Sequence, residues 1–254
     1  MSSEDAGMTN ESVFSTTGAA LVTGGSSGIG LGIARMLADE GYAVTLTARR
    51  PQKLAAAAAG LRAAGADVLD IAGDVREESD IGAIVAAHRE RFGRLDLLVN
   101  NAGTGITGPI DELRTEHLDR QLTVNLRAMI LFYREAMPML RVAGAGGGAL
   151  VVNTASMAGK SGTASLGAYS ASKHGMVGFT EAMNEELRDA GIKSCVLCPA
   201  YVDTALTDHF KDRIPPSEMI TVADIAESVR NLLHLSKHCV IPELIFRRPV
   251  NDVV

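Results

Sequence analysis

The sequence has no tryptophan, and aromatic residues make up only 4% of its 254 residues. Its core must therefore be built from small and branched aliphatic side chains, which lets neighbouring backbone segments approach closely. Hydrophobic residues reach 46% and charged residues 21%, which is typical of a globular protein and excludes wholesale disorder. A chain of this length can form one large domain with its own core.

Cysteine is also scarce, with only Cys195, Cys198 and Cys239. Three cysteines are too few for a disulfide framework. Cys195 and Cys198 form a C-x-x-C pair, which leaves a redox or zinc role open as an alternative. No second ligand pair follows and the surrounding run is apolar, so we interpret both as reduced core thiols and predict no metal site.

Long apolar runs and clusters of basic residues are missing as well. No stretch approaches the roughly 18 apolar residues of a membrane span, and the N-terminus lacks the pattern of a secretory signal. The formal net charge is −6, without a Lys/Arg patch. We therefore expect a soluble, cytoplasmic protein that binds neither nucleic acid nor membranes.

Short apolar runs alternate with helical stretches from residue 19 onward. This alternation predicts an α/β fold with a doubly wound, seven-stranded parallel sheet flanked by helices. No linker divides the chain, so we expect a disordered tail at residues 1–17 and a single domain over residues 18–254. The predicted strands are Ala19–Thr23, Ala43–Thr47, Asp67–Ile71, Leu95–Val99, Ala149–Asn153, Lys193–Cys198 and Val240–Phe246. The predicted helices include Gly30–Glu40, Pro51–Ala64, Asp80–Phe92 and Ala168–Ala190.

The first predicted strand runs directly into a glycine-rich segment, Thr23–Gly30. A strand, glycine loop and helix in this order is typical of a dinucleotide pyrophosphate site. Glycine lets backbone N–H groups approach the phosphates, and the helix N-terminus supplies positive potential. The spacing is G-x-x-x-G-x-G rather than G-x-G-x-x-G. The predicted contacts are Gly24, Ser26, Ser27, Gly28, Ile29 and Gly30.

Five stretches in register resemble the short-chain dehydrogenase/reductase family over about residues 19–246. They are Thr23–Gly30, Asp74-Val75, Asn100–Gly103, Ser156 with Tyr169-x-x-x-Lys173, and Pro199–Thr204. The resemblance implies an NAD(P)-binding Rossmann fold that interconverts a carbonyl group and an alcohol. It also implies a homotetramer, which a monomer mass by light scattering would refute.

The resemblance further implies the remaining cofactor contacts. Asp74 would accept a hydrogen bond from the adenine amino group beside Val75, although a helix N-terminal charge is the alternative for Asp74. The nicotinamide carboxamide would be held through Val202 and Thr204, and Ala200 stands where the family usually has glycine. The other implied contacts are Asn101, Ala102, Gly103, Pro199, Tyr169 and Lys173.

The end of the second predicted strand indicates which cofactor is bound. Ala48 stands where an NAD enzyme usually has an acidic residue, and Arg49 and Arg50 follow it. Arginine can bind a 2′-phosphate bidentately. We therefore expect NADP(H) rather than NAD(H), with Arg49 as the main contact. Two solvated loop arginines are the alternative.

Tyr169 and Lys173 are four residues apart on a predicted helix and so share one face. A cation about 4 Å away at an effective dielectric near 20 is worth up to about 4 kcal/mol, or about three pK units. Lys173, with oxidised nicotinamide, could thus bring the pKa of Tyr169 towards the working pH.

The family match assigns Ser156 to polarising the substrate oxygen, with Thr154 and Ser161 as nearby alternatives. Asn125 matches the family's helix asparagine, which holds a water linking the lysine to solvent. None of the six histidines is assigned a function, although His174, next to Lys173, has the rim of the site as an alternative. The rest, His88 and His209 included, are expected at surfaces or helix ends.

These observations predict an NADP(H)-dependent oxidoreductase that acts on a ketone or 3-oxoacyl group or on the corresponding secondary alcohol. Tyr169 is the expected general acid–base. A non-catalytic NADP(H)-binding sensor or scaffold protein is the alternative. The segment Ala205–Ile220 is expected to cover a compact, mostly apolar substrate pocket, together with Ile106, Met157 and Leu166.

Overall fold

The computed structural model describes residues 18–249 of the chain. The predicted disordered tail at residues 1–17 lies outside the described residues, as do residues 250–254. The strands are β1 (Gly18–Thr23), β2 (Tyr42–Ala48), β3 (Val68–Ala72), β4 (Leu97–Asn100), β5 (Ala149–Thr154), β6 (Ile192–Pro199) and β7 (Glu243–Phe246). The helices are α1 (Gly28–Asp39), α2 (Pro51–Ala63), α3 (Glu78–Phe92), α4 (Thr115–Gln121), α5 (Ala128–Ala145), α6 (Gly167–Glu186) and α7 (Val222–Leu233).

The seven strands form one parallel sheet in the order β3-β2-β1-β4-β5-β6-β7. One apolar core packs the sheet against α1, α2 and α7, and a second packs it against α3, α5 and α6. Both faces are thus covered, which explains why the central strands are continuous apolar runs. The predicted α/β class and doubly wound sheet are confirmed.

The strand order reverses between β1 and β4, which are hydrogen-bonded neighbours in the sheet. The chain leaves these two strands toward opposite faces, so a crevice opens at their carboxyl ends. Open α/β sheets bind ligands in such a crevice. The topology therefore places the candidate site before any side chain is considered.

Two element boundaries follow from local chemistry. The Thr221 hydroxyl accepts a hydrogen bond from the Asp224 amide at 3.1 Å, and the Asp224 carboxylate accepts one from the Thr221 amide at 2.8 Å. This capping box begins α7. The helix α6 ends at Glu186, four residues before the predicted end at Ala190. A 3₁₀ turn, Arg188–Ala190, follows it and is ended by Gly191, which has φ 67°.

Other boundaries differ from the prediction. β7 begins at Glu243 rather than Val240, and Pro242, which has no backbone N–H, stands immediately before it. The helix α5 continues through Pro138, which the sequence suggests as a kink or break. A π turn at Leu122–Arg127 joins α4 to α5, and residue periodicity does not foresee it.

The two cysteines of the C-x-x-C pair face opposite sides of the sheet. Cys198 belongs to the core beneath α5 and α6, whereas Cys195 belongs to the core beneath α1 and α7. Burial raises the pKa of each thiol to about 12. They are core thiols, as expected, and their opposed directions rule out a disulfide between them. Within residues 18–249, no helix is long and apolar enough to cross a membrane.

His88 on α3 contradicts the expectation of a surface position, because its side chain is completely buried. Its Nε2 lies 2.8 Å from the Arg94 carbonyl oxygen, so Nε2 carries the proton and donates it. Its Nδ1, 2.7 Å from Thr45 Oγ1 on β2, then accepts a hydrogen bond from that hydroxyl. Burial lowers the pKa of His88, so the ring is neutral in the folded protein.

This burial predicts acid destabilisation. The unfolded chain takes up a proton on His88 below pH of about 6.5, whereas the folded protein resists it. The stability that His88 contributes is therefore present above that pH and is lost as pH falls toward the lowered folded pKa. In urea unfolding at fixed protein concentration, the free energy of unfolding of His88→Gln should be lower than the wild-type value at pH 7.5, and the gap should narrow by pH 5.5. Parallel pH curves for the two proteins would contradict this assignment.

Candidate active site

A cavity of about 340 Å³ opens at the carboxyl ends of β1, β4, β5 and β6. Its wall contains segments from all of the predicted motifs, including the glycine loop, Asn101–Gly103, Ser156, Tyr169 and Lys173. No aspartate or glutamate is among the residues that line it, whereas Arg49, Arg50 and Lys173 are. The cavity therefore suits a ligand that carries negative charge.

The glycine loop packs so closely on the β4 loop that side chains are excluded. Gly24 has φ 65°, and a Cβ there would lie 2.9 Å from Asn101 Nδ2 and 3.0 Å from Ala102 Cα. A Cβ on Gly30 would lie 2.6 Å from the Gly24 carbonyl oxygen. Gly30 therefore serves close packing and does not line the cavity, although the sequence analysis includes it among the contacts.

The N-terminus of α1 points a set of free backbone donors at the cavity. Ser27 occupies the N-cap position but its side chain makes no capping hydrogen bond, and the first turn holds no acidic residue. Ser26, Ser27, Gly28 and Ile29 all line the cavity. The N–H groups of the first turn of a helix have no partner within that helix, and together with the helix dipole they attract anions. This donor set fits the pyrophosphate of a dinucleotide.

Arg49 and Arg50 lie beside this loop at the end of β2, and both are exposed. Neither makes an ion pair with any residue between 18 and 249. Their guanidinium groups are thus available to a ligand phosphate.

The carboxylate of Asp74 is less available to a ligand than the sequence suggests. Its carboxylate accepts hydrogen bonds from Arg76 Nε at 2.9 Å, from Arg76 Nη2 at 2.6 Å and from the Arg76 backbone at 3.0 Å. The Arg76 hydrogen bond holds the pKa of Asp74 below its usual value, and Arg49 acts in the same direction. Its neighbours Gly73 and Val75 line the cavity, but Asp74 itself does not.

The Asn101–Gly103 segment is held by Thr23 at the end of β1. Thr23 Oγ1 accepts hydrogen bonds from the backbone N–H of Asn101 at 2.9 Å and of Ala102 at 3.0 Å. Asn101 Nδ2 donates to the Thr23 carbonyl oxygen at 3.1 Å. The two loops of the crevice are thereby joined independently of any ligand.

Ser156, Tyr169 and Lys173 converge on one part of the cavity, although they come from the turn after β5 and from α6. Ser156 is the N-cap of a 3₁₀ turn, and its Oγ accepts from the Ala158 amide at 3.1 Å. Lys173 Nζ is buried, donates to the Thr154 carbonyl oxygen at 2.8 Å, and lies 5.7 Å from the centre of the Tyr169 ring. The backbone of β5 thus orients the lysine beneath the tyrosine.

The electrostatics of this pair differ from the expectation. Burial raises the pKa of Tyr169, and a hydrogen bond with the Ser156 side chain acts in the opposite sense. Burial also lowers the pKa of Lys173 to about 8. Since desolvation disfavours the charged form of both groups, the surroundings that the protein supplies raise the phenol pKa rather than lower it.

Asn125 lies in the π turn and is buried behind the cavity wall. Its Oδ1 accepts from the Thr104 amide at 2.8 Å, and its Nδ2 donates to the Thr104 carbonyl at 2.9 Å and to Ser172 Oγ at 2.9 Å. A Cβ on Gly103 would lie 3.6 Å from Asn125 Oδ1 and 3.7 Å from Lys173 Nζ. Asn125 therefore stands on the same side of Gly103 as the lysine, without lining the cavity itself.

The segment after β6 closes the cavity opposite the glycine loop. Pro199, Ala200, Val202 and Thr204 all line it, and the Thr204 methyl group lies 3.2 Å from the position of a Cβ on Gly28. The methyl group of Ala200 is accommodated, and its amide donates to the Phe246 carbonyl at 3.0 Å.

The covering segment 205–220 is pinned at both ends by a β-bridge between Val202 and Ile220. Of its predicted pocket residues, Leu206, His209 and Phe210 line the cavity, as do Met157 and Leu166 from the opposite wall. The remaining predicted pocket residues, Ile106, Ile214, Pro215, Pro216 and Met219, do not line it.

Two histidines that lie close to site residues in the sequence differ in their position. His174 is exposed and lies outside the cavity lining, whereas His209 lines the cavity. The His209 and Phe210 rings lie 4.0 Å apart, and Phe210 meets Tyr201 edge to face at 4.9 Å. Tyr201 and Ser172 were missed by the sequence analysis, although each lies next to a residue it names.

Comparison with known proteins supports the same identification. A family model described as short chain dehydrogenase matches residues 18–214. A protein of Streptomyces virginiae, assigned as the ketoacyl reductase of the monensin polyketide synthase, is 39% identical over 199 residues, which cover 78% of this chain and 75% of that protein.

Solved structures agree in fold. A variant of the actinorhodin polyketide ketoreductase with NADPH has a TM-score of 0.81 at 35% identity and covers 89% of this chain and 94% of its own. A 3-ketoacyl-(acyl-carrier-protein) reductase from Brucella melitensis with NADH has a TM-score of 0.83 at 30% identity. The match covers 91% of this chain and 96% of that chain.

The glycine loop yields a prediction with a matched control. Gly24→Ala places a Cβ against backbone at positive φ and should lower the free energy of unfolding by about 1–3 kcal/mol, with weaker dinucleotide binding. Gly60→Ala on α2 meets no atom within 4 Å and should instead raise it by about 0.5–1 kcal/mol. Urea unfolding and nucleotide titration measure both. Equal stability of the two variants would contradict the close packing of the loops.

Proposed function

The chain belongs to the short-chain dehydrogenase family, and from that premise we propose that it is an NADP(H)-dependent oxidoreductase that interconverts a carbonyl group and a secondary alcohol. The observation that carries the proposal is that one cavity is shared by the glycine loop, two arginines that form no ion pair within residues 18–249, and the Ser156–Tyr169–Lys173 group. When bound, the nicotinamide supplies or accepts the hydride. The residues of this chain orient the substrate and transfer the proton.

Tyr169 is the proposed proton donor to the substrate oxygen in the direction of reduction, and the acceptor in the direction of oxidation. Ser156 lies beside it and would hold that oxygen with its hydroxyl. Lys173, fixed by the Thr154 carbonyl, would place a positive charge behind the phenol. Asn125 would complete the route by which the proton is replaced.

The proposed substrates are ketones or 3-oxoacyl compounds with an apolar body. An apolar part of the wall in the same cavity as Tyr169 is formed by Met157, Leu166, Leu206 and Phe210. This wall would bury the apolar body of an uncharged carbonyl compound. The names of two similar proteins, a ketoacyl reductase and a polyketide ketoreductase, agree with this substrate class. Location in the cytoplasm and assembly as a homotetramer remain predictions from the sequence.

The first test is NADPH oxidation, followed by nicotinamide absorbance, with small ketones, aldehydes and 3-oxoacyl thioesters. Tyr169→Phe should lower turnover by at least about a hundredfold because the general acid is lost, while the dissociation constant for NADPH stays within about twofold. Tyr42→Phe, at the opposite end of the sheet, is the matched control and should keep full turnover.

Retained turnover in Tyr169→Phe would contradict the role of the phenol, and loss of NADPH binding would contradict the separation of binding from catalysis. If wild-type protein binds NADPH but turns over none of the panel, the sensor alternative is favoured.

Arg49 should set the preference for NADP(H). A hydrogen bond to a charged group is worth about 1.5–3 kcal/mol, so Arg49→Gln should weaken NADPH binding by about tenfold or more and leave NADH binding unchanged. Arg50→Gln should have a smaller effect. Arg62→Gln removes an arginine that pairs with Asp70 outside the cavity and should change neither affinity. Equal loss of NADH affinity in Arg49→Gln would show that the arginine does not recognise the 2′-phosphate.

A further inference from the structure

Ser172 connects three parts of the active site through one buried hydroxyl group. It lies on α6 between Tyr169 and Lys173 and is completely buried. Its Oγ donates a hydrogen bond to the Tyr169 carbonyl oxygen at 2.7 Å and accepts one from Asn125 Nδ2 at 2.9 Å. A serine that bonds back to its own helix usually satisfies only itself, whereas this one also holds a side chain from the π turn.

The direction of these bonds fixes the carboxamide of Asn125. Because the hydroxyl proton of Ser172 is committed to the Tyr169 carbonyl, Ser172 presents only an acceptor to Asn125. The acceptor selects the amide orientation in which Nδ2 faces Ser172. In that orientation, Asn125 accepts from the Thr104 amide and donates to the Thr104 carbonyl. The Asn125 side chain therefore pairs with both backbone groups of Thr104, as the backbone of a neighbouring β-strand does.

Thr104 lies between the two glycines of the cavity wall that face the reacting side chains. A Cβ on Gly105 would lie 3.6 Å from Tyr169 Cε2, and one on Gly103 would lie 3.7 Å from Lys173 Nζ. Movement of Thr104 would therefore change the space next to both Tyr169 and Lys173. Asn101, three residues before Thr104, is anchored separately to Thr23.

We propose that Ser172 is a positioning residue that acts through Asn125 and Thr104 to hold the cavity wall against Tyr169 and Lys173. Its kinetic consequence rests on the carbonyl oxidoreductase function proposed above. The free energy of one buried hydrogen bond corresponds to a factor of about five in a rate or equilibrium constant. Ser172→Ala should lower kcat by about that factor.

Ser170 on the same helix is a matched control. It is also buried, but no residue between 18 and 249 makes a hydrogen bond with its Oγ. Ser170→Ala therefore removes the same atoms without breaking a hydrogen bond. Its stability and kcat should match those of the wild-type protein or exceed them slightly.

The first measurement is amide hydrogen exchange by NMR on the full chain without added cofactor. The Thr104 amide should exchange about fivefold faster in Ser172→Ala than in the wild-type protein, and at an unchanged rate in Ser170→Ala. The amides of Leu98 and Val151, in the centre of the sheet, should keep their rates in both variants. A general loss of stability would accelerate these core amides as well.

The second measurement separates kcat from cofactor affinity. In Ser172→Ala the loss should appear in kcat, with the dissociation constant for NADPH within about twofold, because the Asn101 anchor does not depend on Ser172. A purely structural role would loosen the whole crevice and weaken NADPH binding to the same extent.

Several results would overturn the proposal. They are an unchanged Thr104 exchange rate in Ser172→Ala, equal acceleration of the core amides, and unchanged kcat despite faster Thr104 exchange. Absence of turnover in the wild-type protein would instead contradict the proposed function. The exchange comparison would then still decide whether Ser172 holds Thr104, because it requires no activity.

Discussion

The active site depends on the close approach of two loops at the point where the strand order reverses. Thr23 at the end of β1 binds the backbone of Asn101 and Ala102 after β4, and Asn101 binds back to the Thr23 carbonyl. This contact leaves no room for a Cβ on Gly24. It fixes the first turn of α1 next to the cavity wall, so the backbone donors of that turn and the Ser156–Tyr169–Lys173 group lie in one cavity.

From these two loops the site extends through backbone contacts rather than through flexible side chains. The carbonyl group of Thr154 on β5 holds Lys173, and the Thr104 backbone is held by Asn125. Thr154 belongs to a strand that is buried along its whole length, and Asn125 is itself buried in the π turn. Such support reduces the reorganisation that a reaction must otherwise supply, because the groups already stand in place.

Burial has opposite consequences for binding and for proton transfer. It strengthens the interaction of Lys173 with its neighbours, yet it also lowers the lysine pKa to about 8 and raises the pKa of Tyr169. The four-residue spacing of Tyr169 and Lys173 is thus sufficient to bring the two side chains together, but it does not set their pKa values. The sign of the shift depends on how much water the surrounding core excludes, and no sequence motif reports that.

The sequence by itself determined the parallel sheet, the glycine loop, the two arginines and the order of the site residues, because these follow from hydrophobic period and from local backbone chemistry. It could not determine that His88 is buried or that Asp74 is occupied by Arg76. It also could not show the π turn that presents Asn125 to both Thr104 and Ser172. These features depend on contacts between elements distant in the chain, and only the packed tertiary structure decides which polar groups meet and which are left without water.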